Sequence, residues 1–391
     1  MIRLAIIASH PIQYYAPLFR LIAEDDFFQV KVFYLWNFGI TEQVDYGFQK
    51  SLKWDIPLLD GYNYEFVPNI SRNPGTHHVF GLQNPTLTRR VLEFLPDVIL
   101  LTVSYNFASI YKLIWEMRNV NIPLIFRGDS HCILKKNNLK SNIKRLFISK
   151  IYQQFSAFLY VGKANYEYFK YHNVPSVKLF FAPHAIDDSR FKIDDRHRED
   201  AKKWKQELGI NENNLVILFA GKFEPKKSPF DLINAFINSR LESVSLLMVG
   251  SGVLESQIQE LVKRSENNNI CVVPFQNQSL MPRTYATGDI FVLPSKSTSE
   301  TWGLAVNEAM SMNLPIIVSS HVGCAADLVK PFENGLIFEA GNVEDLTRCL
   351  QVATSDYQRL KGWGKESSKI VASYSYERII LGLKESVNAI V

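Results

Sequence analysis

The feature that most restricts what this chain can fold into is a rhythm that starts twice. Short, mostly apolar runs alternate with stretches of helical periodicity. In the first half the runs lie at 4–8, 30–35, 64–67, 98–102, 124–126, 158–161 and 179–182, with helical stretches such as 11–23 and 106–117 between them. Runs apolar on both faces and joined by helical crossovers specify strands of a buried parallel sheet. Residues 37–60 carry no clear pattern. From Arg190 to Asn213 charge becomes dense, as in Asp194-Asp195-Arg196-His197-Arg198-Glu199-Asp200. The rhythm then resumes at 215–220, 245–250, 270–274, 290–294, 316–319 and 336–338. A length of 391 residues is enough for two cores.

The expected plan is therefore α/β, with two Rossmann-like doubly wound domains facing across a cleft. Residues 1–190 form the first, 191–213 a charged, solvated linker that bears a helix, and 214–373 the second. Residues 374–391 read as an amphipathic C-terminal helix that either closes the second domain or packs back on the first. Ligands of open α/β sheets lie outside the carboxyl ends of the strands, so the cleft is the expected site.

Charge and cysteine usage narrow the function. A net charge of +4 over 391 residues is too small and too dispersed for nucleic acid. Cys132, Cys271, Cys324 and Cys349 make no C-x-x-C pair, which argues against a zinc site or redox motif and suits a reducing compartment. The first apolar run passes directly into His10-Pro11 and reads as a strand rather than a signal peptide. No run approaches the roughly 20 apolar residues of a membrane span. The expected location is cytoplasmic, with peripheral contact at the inner face of a membrane as a further option.

The segment 294–310 carries the most chemistry. A strand ends at Pro294, a polar loop follows, and a helix begins near Gly303. A helix start offers amides and a positive dipole end to a phosphate, and glycine allows close approach. Glu308 shares a small apolar face with Ala305, Ala309 and Met312 by helical spacing. A carboxylate there needs a partner. A ribose diol supplies one; a lysine or the solvent at the helix edge is the plainer alternative.

Glu300 and Glu308, with seven residues between them, followed by Ala309-Met310 and Leu314-Pro315-Ile316, resemble the E-x7-E signature of retaining GT-B glycosyltransferases, the group 1 or family 4-like transferases. The resemblance implies that Glu308 holds the donor ribose and that Glu300 lies beside the transferred sugar. It assigns Thr301, Gly303 and Leu304 to the donor diphosphate. Gly221-Lys222-Phe223-Glu224-Pro225-Lys226-Lys227-Ser228 resembles the family's G-R-x-x-x-x-K-G segment, with Lys222 where arginine is usual and Ser228 where glycine is usual. Lys222 and Lys227 then bind the diphosphate, although lysine offers a point charge where arginine offers a fork. Two solvated surface lysines are the bland reading. The resemblance also puts Gly221, the Gly250-Ser251-Gly252 turn and Phe275 near the nucleotide; a tight structural turn explains Gly250 equally well.

The first domain matches more loosely. Pro11 suits a first helical position, capped by Ser9 or His10, and would aim His10, Gln13 and Tyr14 at the cleft, to bind acceptor or phosphate. A plain helix start with core aromatics is the alternative. His131 lies beyond the place where the family has a histidine near the donor sugar, so Arg127 or Asp129 competes for that role. His184 reads as structural or as part of a hinge. Lys135, Lys136, Lys140, Lys144, Arg145 and Lys150 interleave with Leu139, Ile143, Leu146, Phe147 and Ile151. Two readings stay open for this stretch, 135–151: a helix resting on anionic lipid, or a domain helix whose apolar face covers a core.

The resemblance implies transfer with retention from a nucleotide-sugar to a sugar or lipid-linked acceptor, in polysaccharide or glycoconjugate biosynthesis, with no cofactor and no dedicated metal. A nucleotide-sugar epimerase, an inverting transferase and a non-catalytic binding subunit of the same fold are the competing readings.

Overall fold

The computed structural model describes residues 1–45, 47–132 and 138–391. Lys135 and Lys136 of the basic stretch lie outside the described residues. The chain divides into two compact units, each built round one parallel sheet.

The first unit comprises Met1–Gln43, Leu52–His184 and Tyr376–Val391. Its sheet strands are β1 (Ile2–Ala8), β2 (Phe28–Tyr34), β5 (Tyr64–Phe66), β6 (Val98–Leu101), β7 (Leu124–Arg127), β8 (Ala157–Tyr160) and β9 (Leu179–Phe181). β3 (Gln43–Asp45) and β4 (Lys50–Leu52) form a separate two-stranded ribbon. The spatial order is β5-β2-β1-β6-β7-β8-β9, all parallel, with Leu4 opposite Val30 on one side and Val98 on the other. The crossovers are α1 (Ala16–Glu24), α2 (Leu87–Glu93), α3 (Ala108–Glu116), α4 (Leu139–Tyr152) and α5 (Lys163–Tyr171). Leu4 to Ile7, Ile99 and Phe158 are wholly buried, each such aliphatic or aromatic side chain contributing about 1.5–3 kcal/mol.

The second unit comprises Val44–Ser51 and Ala185–Ser375. Its strands are β10 (Leu215–Ala220), β11 (Val244–Val249), β12 (Ile270–Val273), β13 (Ile290–Leu293), β14 (Ile316–Ser319) and β15 (Gly335–Phe338), in the order β12-β11-β10-β13-β14-β15. Its helices are α6 (Asp195–Glu207), α7 (Pro229–Ser239), α8 (Glu255–Ser265), α9 (Met281–Thr287), α10 (Leu304–Ser311), α11 (Ala325–Leu328), α12 (Val343–Thr354) and α13 (Tyr357–Val371). In both sheets the first strand sits inside, and the order reverses beside it. That is the doubly wound pattern, and it places a switch point between β1 and β6 in one unit and between β10 and β13 in the other.

Two segments differ from the sequence reading, and a third takes one of the two readings left open for it. The stretch expected as a solvated linker belongs to the second unit. Asp194 caps α6 through His197 N (2.7 Å), and Ala201 and Trp204, three residues apart, bury one narrow stripe of an otherwise charged helix. The guanidinium of Arg283 lies 4.4 Å over the Trp204 ring. The patternless 37–60 stretch contains the β3–β4 ribbon, and its tip, Val44–Ser51, goes with the second unit. The last helix, α14 (Tyr376–Asn388), goes with the first unit. Gly382 makes this possible, because a Cβ there would lie 2.1 Å from the Phe181 carbonyl oxygen. Lys384 reaches Asp25 at 2.7 Å and the Tyr376 hydroxyl donates to the Tyr14 carbonyl at 3.0 Å.

Candidate active site

In the second unit the carboxyl ends of the strands carry most of the residues that the sequence singled out. β10 runs into Gly221 and Lys222, β11 into Gly250, β12 into Phe275, and β13 into the 294–303 loop. Gly250 has a packing reason. A Cβ there would lie 1.9 Å from the Gly221 carbonyl oxygen, so the turns after β10 and β11 close only with glycine. Their backbones are stitched by Gly221 N to Val249 O (3.0 Å) and Phe223 N to Ser251 O (2.9 Å). Phe275 N donates to Ser251 Oγ (3.2 Å), bringing a third turn to the same edge.

Lys222 and Lys227 of the Gly221–Ser228 segment each hold a carboxylate from outside it, while Lys226 pairs within it with Glu224 at 3.1 Å. Lys227 forms an ion pair with Glu300, and both side chains are mostly buried. Ser295 Oγ donates to the same Glu300 oxygen, Oε2, at 3.0 Å. Lys296 N bonds to Lys226 O (3.0 Å) and Gly323 N to Glu300 O (3.0 Å), so the loop that carries Glu300 is tied on two sides. Lys222 Nζ bonds both Asp45 oxygens, at 2.9 and 3.2 Å, and lies 4.6 Å from the Phe48 ring centre. Phe48 in turn packs on Phe275 with ring centres 4.4 Å apart. Burial pushes the Asp45 carboxyl up, but hydrogen bonds from Lys222 and from the Phe48 and Gly47 amides outweigh it and leave it below its ordinary value. Asp45 and Phe48 come from the patternless ribbon, and no sequence signal links them to Lys222, far along the chain.

Ser228, at the position where glycine is usual, has φ +50° and ψ +49°. That is the left-handed region glycine enters at little cost. The segment 225–227 is one 3-10 turn, and Ser228 reverses it into α7, whose first residue is Pro229.

Gly303 precedes α10 with φ +97°. A Cβ there would lie 3.0 Å from both Leu293 Cδ2 and Val322 Cγ1. The first amides of a helix have no carbonyl one turn back and sit at its positive end; here the helix opens at Gly303 and Leu304, and the Val306 amide already bonds the Gly303 carbonyl at 2.8 Å. Thr301 is held by the neighbouring turn, since a Cβ on Gly323 would meet its carbonyl oxygen at 1.8 Å. Val306 to Met310 are all buried, so α10 presents no separate apolar face. Glu308 is not at the helix edge: it is 3% exposed and accepts a 2.7 Å hydrogen bond from the hydroxyl of Tyr285, itself wholly buried on α9. Beside it Trp302 Nε1 donates to Asn307 Oδ1 (2.8 Å). Tyr285 was not identifiable from sequence, because nothing in 281–287 marks its hydroxyl as a partner of residue 308.

The first unit corrects one reading. α1 begins at Ala16, not at Pro11, and the proline of its first turn is Pro17. Residues 12–15 form a turn in which the Ile12 carbonyl accepts from Tyr15 N and Ala16 N, both at 3.0 Å, and Tyr15 caps α1 without a side-chain bond. Neither Ser9 nor His10 caps a helix. His10 follows β1 and packs edge-on against Trp36 and Phe38, at 5.5 Å each, with Nδ1 3.0 Å from Ser9 Oγ. Gln13 and Tyr14 are half-buried in the turn.

After β7, Arg127 is committed inward: its guanidinium donates to Tyr15 Oη (2.8 Å) and to the Pro183 carbonyl (2.8 Å). Asp129 Oδ2 lies 3.5 Å from His184 Nε2. Burial holds the His184 imidazole below its ordinary value despite that carboxylate. His131 is half-buried two residues on. Asp129 and His131 thus follow the same strand, while Arg127 ties three segments together.

Residues 200–370 match the family model of glycosyl transferases group 1. The D-inositol 3-phosphate glycosyltransferase of Rhodococcus opacus is 28% identical over 215 residues, covering 52% of this chain and 46% of that one. The sulfoquinovosyl transferase SQD2 of Arabidopsis thaliana is 28% identical over 184 residues, covering 46% and 34%. The chain spans about half the length of the first of the curated relatives it matches. Among solved structures, Anabaena Alr3699/HepE in complex with UDP and glucose has a TM-score of 0.74 at 16% identity, with 100% of both chains covered. At that identity the likeness is one of fold, the GT-B plan of two Rossmann-like units.

Proposed function

We propose that the protein is a retaining glycosyltransferase that moves a sugar from a nucleoside-diphosphate donor to a glycan or lipid-linked acceptor in polysaccharide or glycoconjugate biosynthesis. One observation carries the reading. At the β10/β13 switch point, Lys227 and Glu300 form an ion pair next to the loop that starts α10, and the same helix holds a buried Glu308. The match of residues 200–370 to group 1 transferases supports it, as do the names of the relatives.

In this reading the donor diphosphate lies against the Thr301–Leu304 backbone, with Lys222 and Lys227 facing its oxygens and Gly221, Gly250 and Phe275 beside the nucleoside. Glu308, oriented by Tyr285, accepts from the ribose hydroxyls. The bond between the anomeric carbon and the β-phosphate oxygen breaks. The acceptor oxygen bonds to that carbon on the same face, and its proton passes to the departing phosphate. Charge grows on the leaving oxygens, and fixed ammonium groups with a helix start are preorganised to stabilise it. Donor binding exchanges carboxylate for phosphate at both lysines, so Glu300 is released toward the transferred sugar as Lys227 engages the diphosphate. On the first unit, His10, Gln13 and Tyr14 are the proposed acceptor contacts, and Asp129 and His131 the proposed contacts near the transferred sugar.

The test is a panel of UDP-, GDP- and ADP-sugars scored by thermal shift, followed by NMR of the product linkage. A true donor raises the melting point by mass action, and the product keeps the donor's anomeric configuration. An inverted product refutes retention. Donor turnover without acceptor identifies an epimerase instead.

A further inference from the structure

The helix α4 has two apolar sides, and only one of them is used inside the protein. Ile148 and Tyr152 face inward and join the core of the first unit. Leu139, Ile143, Leu146 and Phe147, spaced i, i+4, i+7 and i+8 and therefore on one face, are 77, 61, 69 and 54% exposed. The core-covering reading of this helix accounts for the first set and not for the second. The face continues onto α3: Tyr111 touches Phe147, with ring centres 6.4 Å apart, and Trp115, one turn further along α3, is 67% exposed. Exposed apolar surface of this extent, gathered on two adjacent helices, marks an interaction site.

Charge identifies the occupant. Residues 139–152 contain Lys140, Lys144, Arg145 and Lys150 and no acidic residue. The three lysines are exposed around the apolar stripe, whereas Arg145 turns back to donate to the Tyr171 carbonyl at 2.8 Å. The start of the helix is fixed by a capping box in which Asn138 Oδ1 accepts from Ser141 N (2.8 Å) and Ser141 Oγ accepts from Asn138 N (3.1 Å). The stripe is thus presented on a defined helix. Fourteen residues rise about 21 Å, short of a hydrocarbon core, and no helix among the described residues is long and apolar enough to cross a membrane. An apolar face ringed by lysines, with an exposed tryptophan beside it, has the chemistry of a helix that lies in the headgroup layer of an anionic bilayer.

We propose that α4, together with the Trp115 corner of α3, is a docking face for an anionic lipid bilayer, the apolar stripe entering the acyl boundary and the lysines meeting the headgroups. The proposal needs no donor, so it stands or falls apart from the transfer reaction.

The full-length protein is sedimented with vesicles of phosphatidylglycerol and phosphatidylcholine, and with phosphatidylcholine vesicles alone, at low and at high salt. Binding is expected to the anionic vesicles and to weaken with salt. The variant I143E/L146E, altered only at exposed positions, is expected to partition on the order of a hundredfold less. The variant K140Q/K144Q/K150Q is expected to lose about fivefold per lysine on anionic vesicles. Circular dichroism confirms that each variant is folded. The proposal is overturned if the native protein stays in the supernatant, or if I143E/L146E binds as well as the native chain. It is also overturned if analytical ultracentrifugation shows a dimer that I143E/L146E abolishes, which would make the face a contact between two copies of this chain.

Discussion

Replacing Glu308 by alanine is expected to loosen the donor nucleotide and to leave the sheet intact. Glu308 is almost fully buried and takes one hydrogen bond from Tyr285. A carboxylate accepts up to about four hydrogen bonds, and in the proposed complex ribose hydroxyls are among the donors to Glu308. Each hydrogen bond from a ribose hydroxyl to this charged acceptor contributes about 1.5–3 kcal/mol, and about 1.4 kcal/mol is a factor of ten in affinity. Losing one to two such bonds raises the Kd on the order of 10- to 10,000-fold. Glu308→Gln keeps the shape and an acceptor for Tyr285 but exchanges charge-assisted bonds for neutral ones about half as strong, so it should fall between. Tyr285→Phe removes only the orienting bond and should cost about fivefold. The assay is isothermal titration with the donor found by thermal shift, on variants shown to be folded by denaturant titration, because Glu308→Ala removes an acceptor from the buried Tyr285 hydroxyl at a cost of about 1–3 kcal/mol. If the alanine variant binds donor within twofold of the native protein, Glu308 does not hold the ribose.

Four further outcomes follow from the same geometry. Asp45→Asn frees Lys222 from its carboxylate and should tighten donor binding up to about fivefold by titration, the worth of a part-exposed ion pair; looser binding would show that Asp45 itself holds the donor. Because the Asp45 pKa is depressed, its contribution is complete above the ordinary carboxylate range and is lost as the pH falls through the lowered value, so a fluorescent label at Lys50 should report release of the ribbon only below the ordinary carboxylate range. Ser228→Gly relieves a left-handed φ and removes a buried Oγ that has no hydrogen-bond partner among the described residues; it should stabilise the donor-free protein by about 1 kcal/mol in urea titration, and a loss of stability would mean that the hydroxyl is used. Lys227→Ala and Glu300→Ala should each lower kcat by more than tenfold while circular dichroism stays unchanged, and the double variant should fall short of the product of the two losses because the groups are paired.

How much of this was legible depended on the length and burial of each element. β10 and β14 were read to the residue, because strands buried on both faces are continuous apolar runs. The ribbon was not, because its three-residue strands bury only Leu52. The start of α1 was placed five residues early, since Pro11 and Pro17 satisfy the same helix-start rule and only the turn closed on the Ile12 carbonyl decides between them. Glu300, Glu308, Lys222 and Lys227 were visible as a pattern of spacings. Their partners Ser295, Tyr285 and Asp45 were not, since a hydrogen bond between residues on separate elements leaves no periodic trace. The outward stripe of α4 was visible as residues, but which of its two apolar sides the core takes is a matter of packing that periodicity does not record.

The most direct measurement is a crystal structure of the protein with its nucleoside-diphosphate donor. The account predicts the diphosphate against the backbone of Thr301 to Leu304, Lys222 and Lys227 turned onto its oxygens, and the ribose on Glu308. A nucleotide seated away from the start of α10, with both lysines still on Asp45 and Glu300, would contradict it.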